Sequence, residues 1–383
     1  MRDGFQENVG DSFDWPLFIT AALIAVVGVV NLRAATSVYT AGRADLWVNQ
    51  IVWMVSGGAL GVFLGAIDYR HVERWAYFAY GTGVLSLVLV LALGRDVRGS
   101  ARWINLGPFA YQPSEFMKVC LIVALGKYFQ DGQYRSEAPR QLKELAVPAA
   151  LAAVPVFLVL RQPDLGTGLI LSLIFVAIAS LLRIRWQSLA LLVFVFLVAA
   201  PLIWEYGLLD YQRARVTSFL SPDADVRGSG WHAHNARIAI GNGGLFGQGY
   251  MRGSQNQYLF LPDQYSDFPF PVFAEDWGFA GGLIVLGLYA FLVLWSVRIA
   301  SQAKDRFGAV VAVGVGAMIF WHAVFNLGMV TGVLPVVGVT LPLFSYGGSS
   351  VMTILIGLGL LMNVSMRRPN MTPVRSGQAL FAR

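Results

Sequence analysis

The chain has 383 residues, 56% of them hydrophobic and 13% charged, with a formal net charge of +6. That charged share is about half the usual ~25%, and the apolar residues fall in long blocks, which excludes an ordinary soluble domain. The single cysteine, Cys120, excludes an intrachain disulfide or a multi-cysteine metal site. No basic run interleaved with aromatics marks a grip on a phosphate backbone, so no nucleic-acid partner is expected.

A helix needs roughly 20 apolar residues to cross a bilayer. In chain order the blocks 15–32, 47–67, 75–93, 114–129, 145–160, 167–182, 188–204, 278–297, 307–330 and 347–364 meet or approach that length. They predict an all-α polytopic membrane protein of about ten transmembrane helices. The first block is expected to stay in place rather than serve as a cleaved leader, because Asp3, Glu7, Asp11 and Asp14 precede it where a basic segment would stand. With both termini on the cytoplasmic side, more than half of the 28 Lys and Arg residues fall on the inner segments, as orientation by basic residues requires. Arg95, Arg98 and Arg102 break that rule by clustering on an outer segment. Residues 1–366 read as one membrane domain and 367–383 as a short cytoplasmic tail. Between the seventh and eighth helices stands a large extracytoplasmic loop, 205–271, too long for an ordinary connection. Its apolar stretches and the glycine-rich run 241–249 predict a folded cap resting on the bilayer.

Polar residues that could carry chemistry come in five groups. At the entrance to the fourth span, Pro113 can begin a helix because it has no amide hydrogen to lose there. Glu115 and Lys118, three apart, then share one helix face. Ionised groups in a span face a partner or a wet cavity, so this pair either fixes helix packing or walls a polar hollow. Asp164, in Gln162-Pro163-Asp164-Leu165-Gly166, either caps the sixth span or orients an arginine on the outer rim. Every basic position of the long loop is arginine. Arg213, Arg215 and Arg237 read singly as surface residues and together as an anion site, since the guanidinium fork suits phosphate. Asp267 stands among aromatics just before the eighth span, with Glu275 and Asp276 following; a desolvated carboxyl there would be a better base, although a carboxylate at that place can also cap a helix. The small-residue stretches 326–329, 334–339 and 345–350 read as structural. His71, His232, His234 and His322 lack zinc spacing; His232 and His234, an H-x-H in the long loop with no third ligand in view, read as loop polar residues.

Taken in order, the stretches 99–118, 161–167, 211–249, 261–278 and 328–350 resemble the SEDS family (shape, elongation, division and sporulation proteins), whose members include RodA, FtsW and SpoVE. Gly328-Met329-Val330-Thr331-Gly332 is most similar to the RodA branch. The resemblance implies ten transmembrane helices and a peptidoglycan glycosyltransferase that polymerises lipid II during cell-wall elongation and maintenance of cell shape, in the bacterial inner membrane. It places the family's essential aspartate on Asp267, with Ser266 where threonine is usual, and the acid–base pair of the fourth helix on Glu115 and Lys118. It also implies a class B penicillin-binding protein, a transpeptidase, as partner within the elongation complex.

On this reading Asp267 is the candidate general base. Arg102, Glu115, Lys118, Asp164, Arg213, Arg215 and Glu275 form the candidate substrate-binding set, with Arg102, Arg213 and Arg215 facing the undecaprenyl diphosphate. A divalent cation, Mg or Mn, could assist at the diphosphate, although no dense carboxylate cage is visible; no organic cofactor is expected. The competing expectation is a lipid II flippase, which should carry polar residues through several spans at mid-membrane depth.

Overall fold

The computed structural model describes residues 13–39, 44–93, 102–106, 109–131, 142–182, 231–261 and 263–368, with the single positions 205, 213, 217 and 219. Nine of the ten apolar blocks fall on helices; the seventh, 188–204, lies outside the described residues. The helices are α1 (Trp15–Thr36), α2 (Leu46–Ala66), the short α3 (Tyr69–Arg74), α4 (Ala76–Leu93), α5 (Pro113–Asp131), α6 (Ala146–Arg161), α7 (Leu165–Ala179), α8 (Trp231–Asn242), the single turn α9 (Ser254–Gln257), α10 (Pro269–Ser301), α11 (Arg306–Thr331) and α12 (Gly348–Met366). The all-α expectation needs one addition. Strands β1 (Ile104–Leu106) and β2 (Phe109–Tyr111) form an antiparallel ribbon, Ile104 opposite Tyr111. Its physical reason lies in the sequence: Gly107-Pro108 is a turn signal between two short runs of strand-forming residues.

Among the described residues, six helices are long and apolar enough to cross a membrane. In α1, α2, α4 and α10 no more than 33% of the most apolar window is buried, whereas α11 and α12 reach 72%. Large apolar side chains such as Val62, Phe78, Phe279 and Leu294 point outward. That is the pattern of a protein whose outer solvent is hydrocarbon: every backbone polar group is satisfied within a helix, and no apolar face has to be hidden. The chain is therefore a multi-pass membrane protein. Helix α5 lies in the middle of the bundle, in contact with α4, α6, α7, α11 and α12. There it tolerates Glu115 and Lys118 because both are buried in protein.

Without a hydrophobic drive between helices in lipid, close packing must come from small residues. Helix α2 buries Gly57, Gly61 and Gly65 against α12, and a Cβ on Gly61 would stand 2.7 Å from the Leu355 carbonyl oxygen. Gly61→Leu should therefore force the two helices apart at a cost of ~1–3 kcal/mol, as overpacking does, read as a lower unfolding temperature in detergent.

The bundle has two chemically distinct ends. At one end Asp14 caps α1, takes a hydrogen bond from Trp295 Nε1 (2.8 Å) and pairs with Arg368 (2.8 Å). The first and last described segments thus meet, as an even number of crossings requires. The same end holds a polar cavity of about 520 Å³ lined by Arg70, Glu73, Arg74, Lys127, Gln130, Lys304 and Asp305. Tyr69, whose hydroxyl is pushed well up by burial and by its Asp305 partner, donates to that carboxylate at 2.5 Å. Asp305 caps α11, and Asn326 lies 21 residues further along it. At 1.5 Å per residue that is ~31 Å, the thickness of a bilayer core. The residues expected to carry chemistry gather at this opposite end.

Candidate active site

The centre of the site is a non-helical segment, 333–347, between α11 and α12. It is buried at Val339, Leu341, Leu343 and Phe344. Irregular backbone at membrane depth persists only where protein groups take up its hydrogen bonds, and here side chains from three helices do so, with a fourth helix bonding one of its side chains. Gln50 of α2 donates to Ser345 O (2.9 Å), and Tyr289 of α10 to Pro342 O (2.6 Å). Thr340 Oγ1 shares a hydrogen with Ser350 Oγ of α12 (2.8 Å). From α11, Asn326 Nδ2 donates to Val339 O (2.7 Å), and His322 Nδ1 lies 3.0 Å from Thr340 O. The small-residue stretches read as structural are thus a buried loop and the helix ends that clamp it.

Asp267 is half-buried beside this segment, in a turn closed by the amides of Ser266 (3.1 Å) and Asp267 (3.2 Å) on Asp263 O. Asn326 Nδ2 also donates to Asp267 O (3.0 Å), so one side chain ties the aspartate's backbone to Val339. A Cβ on Gly338 would stand 3.5 Å from Asp267 Oδ2, and Gly338 has φ 72°. Gly338→Ala should cost ~1–2 kcal/mol for the left-handed backbone, its methyl meeting the carboxylate at ordinary contact distance; it is checked by unfolding temperature and polymerisation rate measured together.

Two further stretches reach the same loop. The turn at 164–167 packs under it, because a Cβ on Gly166 would lie 2.9 Å from Val339 Cγ2. Asp164 fulfils both of its expected roles. It caps α7 by accepting from the Thr167 amide (3.2 Å), and it stands 3.9 Å from Arg102 Nη1. Arg102 is held further by Gln162 O (3.1 Å) and by Pro163 O. Gln112 Nε2 donates to Asp164 as well (3.4 Å), and the Gln112 amide donates to Ser349 Oγ (3.1 Å), anchoring the ribbon to α12. The second stretch is the face of α5. Lys118, fully buried, lies 2.9 Å from Glu115 Oε1 and 2.8 Å from His322 Nε2. His322, within the expected span 307–330, is 1% exposed inside α11. Glu115 Oε2 is buried without a hydrogen-bond partner.

The other expected residues lie around this centre. Glu275, fully buried on α10, accepts from Gln255 N (3.1 Å), Ser254 Oγ (3.1 Å) and Asn242 Nδ2 (3.4 Å). Asp276 accepts from Met251 N (3.0 Å) and Gly253 N (3.2 Å). Both carboxylates pin the segment 242–257 to α10. The glycine-rich run closes the same joint: α10 breaks at Gly278 (φ 70°), where the amides of Phe279 and Ala280 donate to Gly244 O and Leu245 O. Gly247 (φ 83°) lies so close to Asp276 O that a Cβ would stand 2.1 Å away. Arg237 of α8 lies over Gly332, the left-handed cap of α11. Arg213 donates to the Glu205 carbonyl, and Arg215 lies outside the described residues. Among the described residues no three His, Cys, Asp or Glu side chains converge as metal ligands.

Comparison with known proteins shows the family to which the chain belongs. The profile of the family described as "Cell cycle protein", of FtsW, RodA and SpoVE, matches residues 14–370. The peptidoglycan glycosyltransferase MrdB of Escherichia coli K12 is 36% identical over 348 residues, covering 90% of this chain and 93% of that one. The peptidoglycan glycosyltransferase RodA of Treponema pallidum is 32% identical, covering 93% and 98%. Among solved structures, a chain of a peptidoglycan synthase complex superposes with a TM-score of 0.79 at 32% identity, covering 94% of this chain and 99% of that one. The rod shape determining protein RodA of Thermus thermophilus superposes at 0.69 with 31% identity, covering 93% and 97%. With matches that run nearly end to end in sequence and in fold, the chain belongs to the SEDS family of FtsW, RodA and SpoVE.

Proposed function

We propose that this protein is a peptidoglycan glycosyltransferase that polymerises lipid II into glycan strands during cell-wall elongation. The observation that carries the reading is the gathering of Asp267, the Arg102–Asp164 pair and the buried Glu115–Lys118 pair around one loop, 337–340, at one end of the bundle. Asp267 takes the proton of the acceptor sugar's 4-hydroxyl. The hydroxyl oxygen bonds to the donor's anomeric carbon with inversion, and the carbon–oxygen bond to undecaprenyl diphosphate breaks, its electron pair leaving with the diphosphate. Arg102, preset by Asp164 and two carbonyls, meets the charge of that leaving group, with Arg213 and Arg215 as further cations. Glu115 Oε2 offers a buried acceptor that a substrate hydroxyl or amide would satisfy. Glu275 holds the cap segment to α10, so that α10 presents Asp267 in one place. No step is routed through a divalent cation.

In this reading the end that carries Asp14, Arg368 and the basic cavity faces the cytoplasm of a bacterial inner membrane, and the Asp267 end faces outward. The synthase complex to which the superposed chain belongs supports a penicillin-binding protein, of the transpeptidase class B, as partner. A flippase is the second reading. It is disfavoured because the described charged groups of the bundle interior, Glu115 and Lys118, sit in the first two turns of α5 near the Asp267 end instead of continuing through mid-depth.

The test needs no membrane sidedness. Purified full-length protein in detergent, with and without the cognate transpeptidase, should convert lipid II to glycan strands resolved on a gel. Absence of polymer in both samples, together with transbilayer movement of lipid II in vesicles, would favour the transporter.

A further inference from the structure

His322 and Asn326 stand one helical turn apart on α11, and both hold the loop that borders Asp267. His322 Nδ1 faces a carbonyl oxygen, Thr340 O, which can only accept; the proton therefore sits on Nδ1. Its Nε2, 2.8 Å from the Lys118 ammonium, must then be the acceptor, which makes the ring neutral and fixes its tautomer. Glu115, Lys118, His322 and Thr340 O thus form one continuous buried run of hydrogen bonds. The next residue along the loop, Val339, shares Asn326 with Asp267, and the one beyond, Gly338, faces the Asp267 carboxylate, so that a Cβ there would stand 3.5 Å from Oδ2. Lys118 is fully enclosed and can reach the aspartate only through these groups.

We infer that His322 is a positioning residue: it couples the Glu115–Lys118 pair to loop 337–340 and so sets where Asp267 stands. This rests on the reading of Asp267 as the base and adds a residue to it. Catalysis is sensitive to such placement, because a shift of ~1 Å from a change remote from the chemistry can cost ~100-fold in rate. The described arginines proposed to meet the diphosphate, Arg102 and Arg213, have other partners than His322, so turnover should suffer and apparent affinity should not.

The experiment compares wild type, His322→Leu, His322→Gln, Lys118→Met, Lys118→Met/His322→Leu and Asp267→Asn as full-length proteins in detergent with lipid II. Rates are taken per monodisperse molecule, with unfolding temperatures recorded alongside. His322→Leu, which removes both ring nitrogens, should lower kcat ~10–100-fold with KM within about threefold. His322→Gln, which keeps one donor and one acceptor, should recover most of that loss. The double variant should be no slower than about the slower of its single changes, since both act through one connection. A His322→Leu protein that melts earlier but turns over like wild type would overturn the inference, as would a loss confined to KM or a Gln variant as slow as Leu. If Asp267→Asn itself polymerises, the base reading falls and the inference with it; if Asp267→Asn is inactive while His322→Leu is fully active, only the inference falls.

Discussion

Asp267→Asn should lower the rate of glycan polymerisation by at least ~100-fold, the lower bound of what a positioned general base contributes. The substitution is nearly isosteric and leaves the backbone anchors intact: the turn on Asp263 O, the hydrogen bond from Asn326 to Asp267 O and the Gly338 contact all survive. What disappears is the capacity to take a proton from the acceptor hydroxyl. Unfolding temperature and lipid II binding should therefore stay near wild type while kcat collapses, the pattern of an interaction made in the transition state. Asp267→Ala should be as slow. Asp267→Glu tests geometry separately: it keeps the base but pushes it one methylene further toward Gly338, so an intermediate rate is expected. Glycan length and amount on a gel, at fixed enzyme and lipid II, give the answer. Polymer from Asp267→Asn at more than a tenth of the wild-type rate would take the aspartate out of the base role.

How far the sequence led depended on the range of the interaction concerned. The spans were legible because lipid imposes a local rule, about 20 apolar residues per crossing, and even the start of the block at 278 coincides with the break in α10 at Gly278. Asp164 was legible as a choice between helix cap and arginine partner, and the fold uses it for both. The purpose of the glycine-rich run was not legible. Gly243 and Gly247 lie against Ala274 O and Asp276 O, some thirty residues on, and nothing local announces that closeness. The same distance hid the hydrogen bonds of Glu275, expected in the substrate-binding set, and of Asp276, which had no assigned role: both hold the segment 242–257 to α10. The use of His322 was missed, though a signal existed. A histidine and an asparagine four apart in a 26-residue apolar helix share one face, and polar groups at that depth need a partner inside the protein. The ribbon at 104–111 was missed because three-residue strands carry little pattern.

The second large effect concerns the pair on α5. Lys118→Met should destabilise the protein by ~3–5 kcal/mol, the usual cost of stripping one partner from a buried ion pair. It leaves Glu115 with Oε1 bereft of the ammonium and Oε2 already without a hydrogen-bond partner, in a carboxylate that is 6% exposed. His322 Nε2 loses its donor as well. Glu115→Gln should destabilise less, since Lys118 retains the imidazole as acceptor and the amide oxygen as a second one. The informative protein is Glu115→Gln/Lys118→Met, in which no buried charge remains. If the pair serves packing alone, this double variant should regain most of the stability lost by Lys118→Met and polymerise near the wild-type rate. If the pair serves the reaction, stability should return while the rate stays down by more than ~10-fold, because neither the cation nor the acceptor oxygens it orients have been restored. Unfolding temperature in detergent and glycan synthesis on the same preparations separate the two. The unpartnered Glu115 oxygen favours the second outcome, since a pair kept only for packing would satisfy both oxygens within the protein.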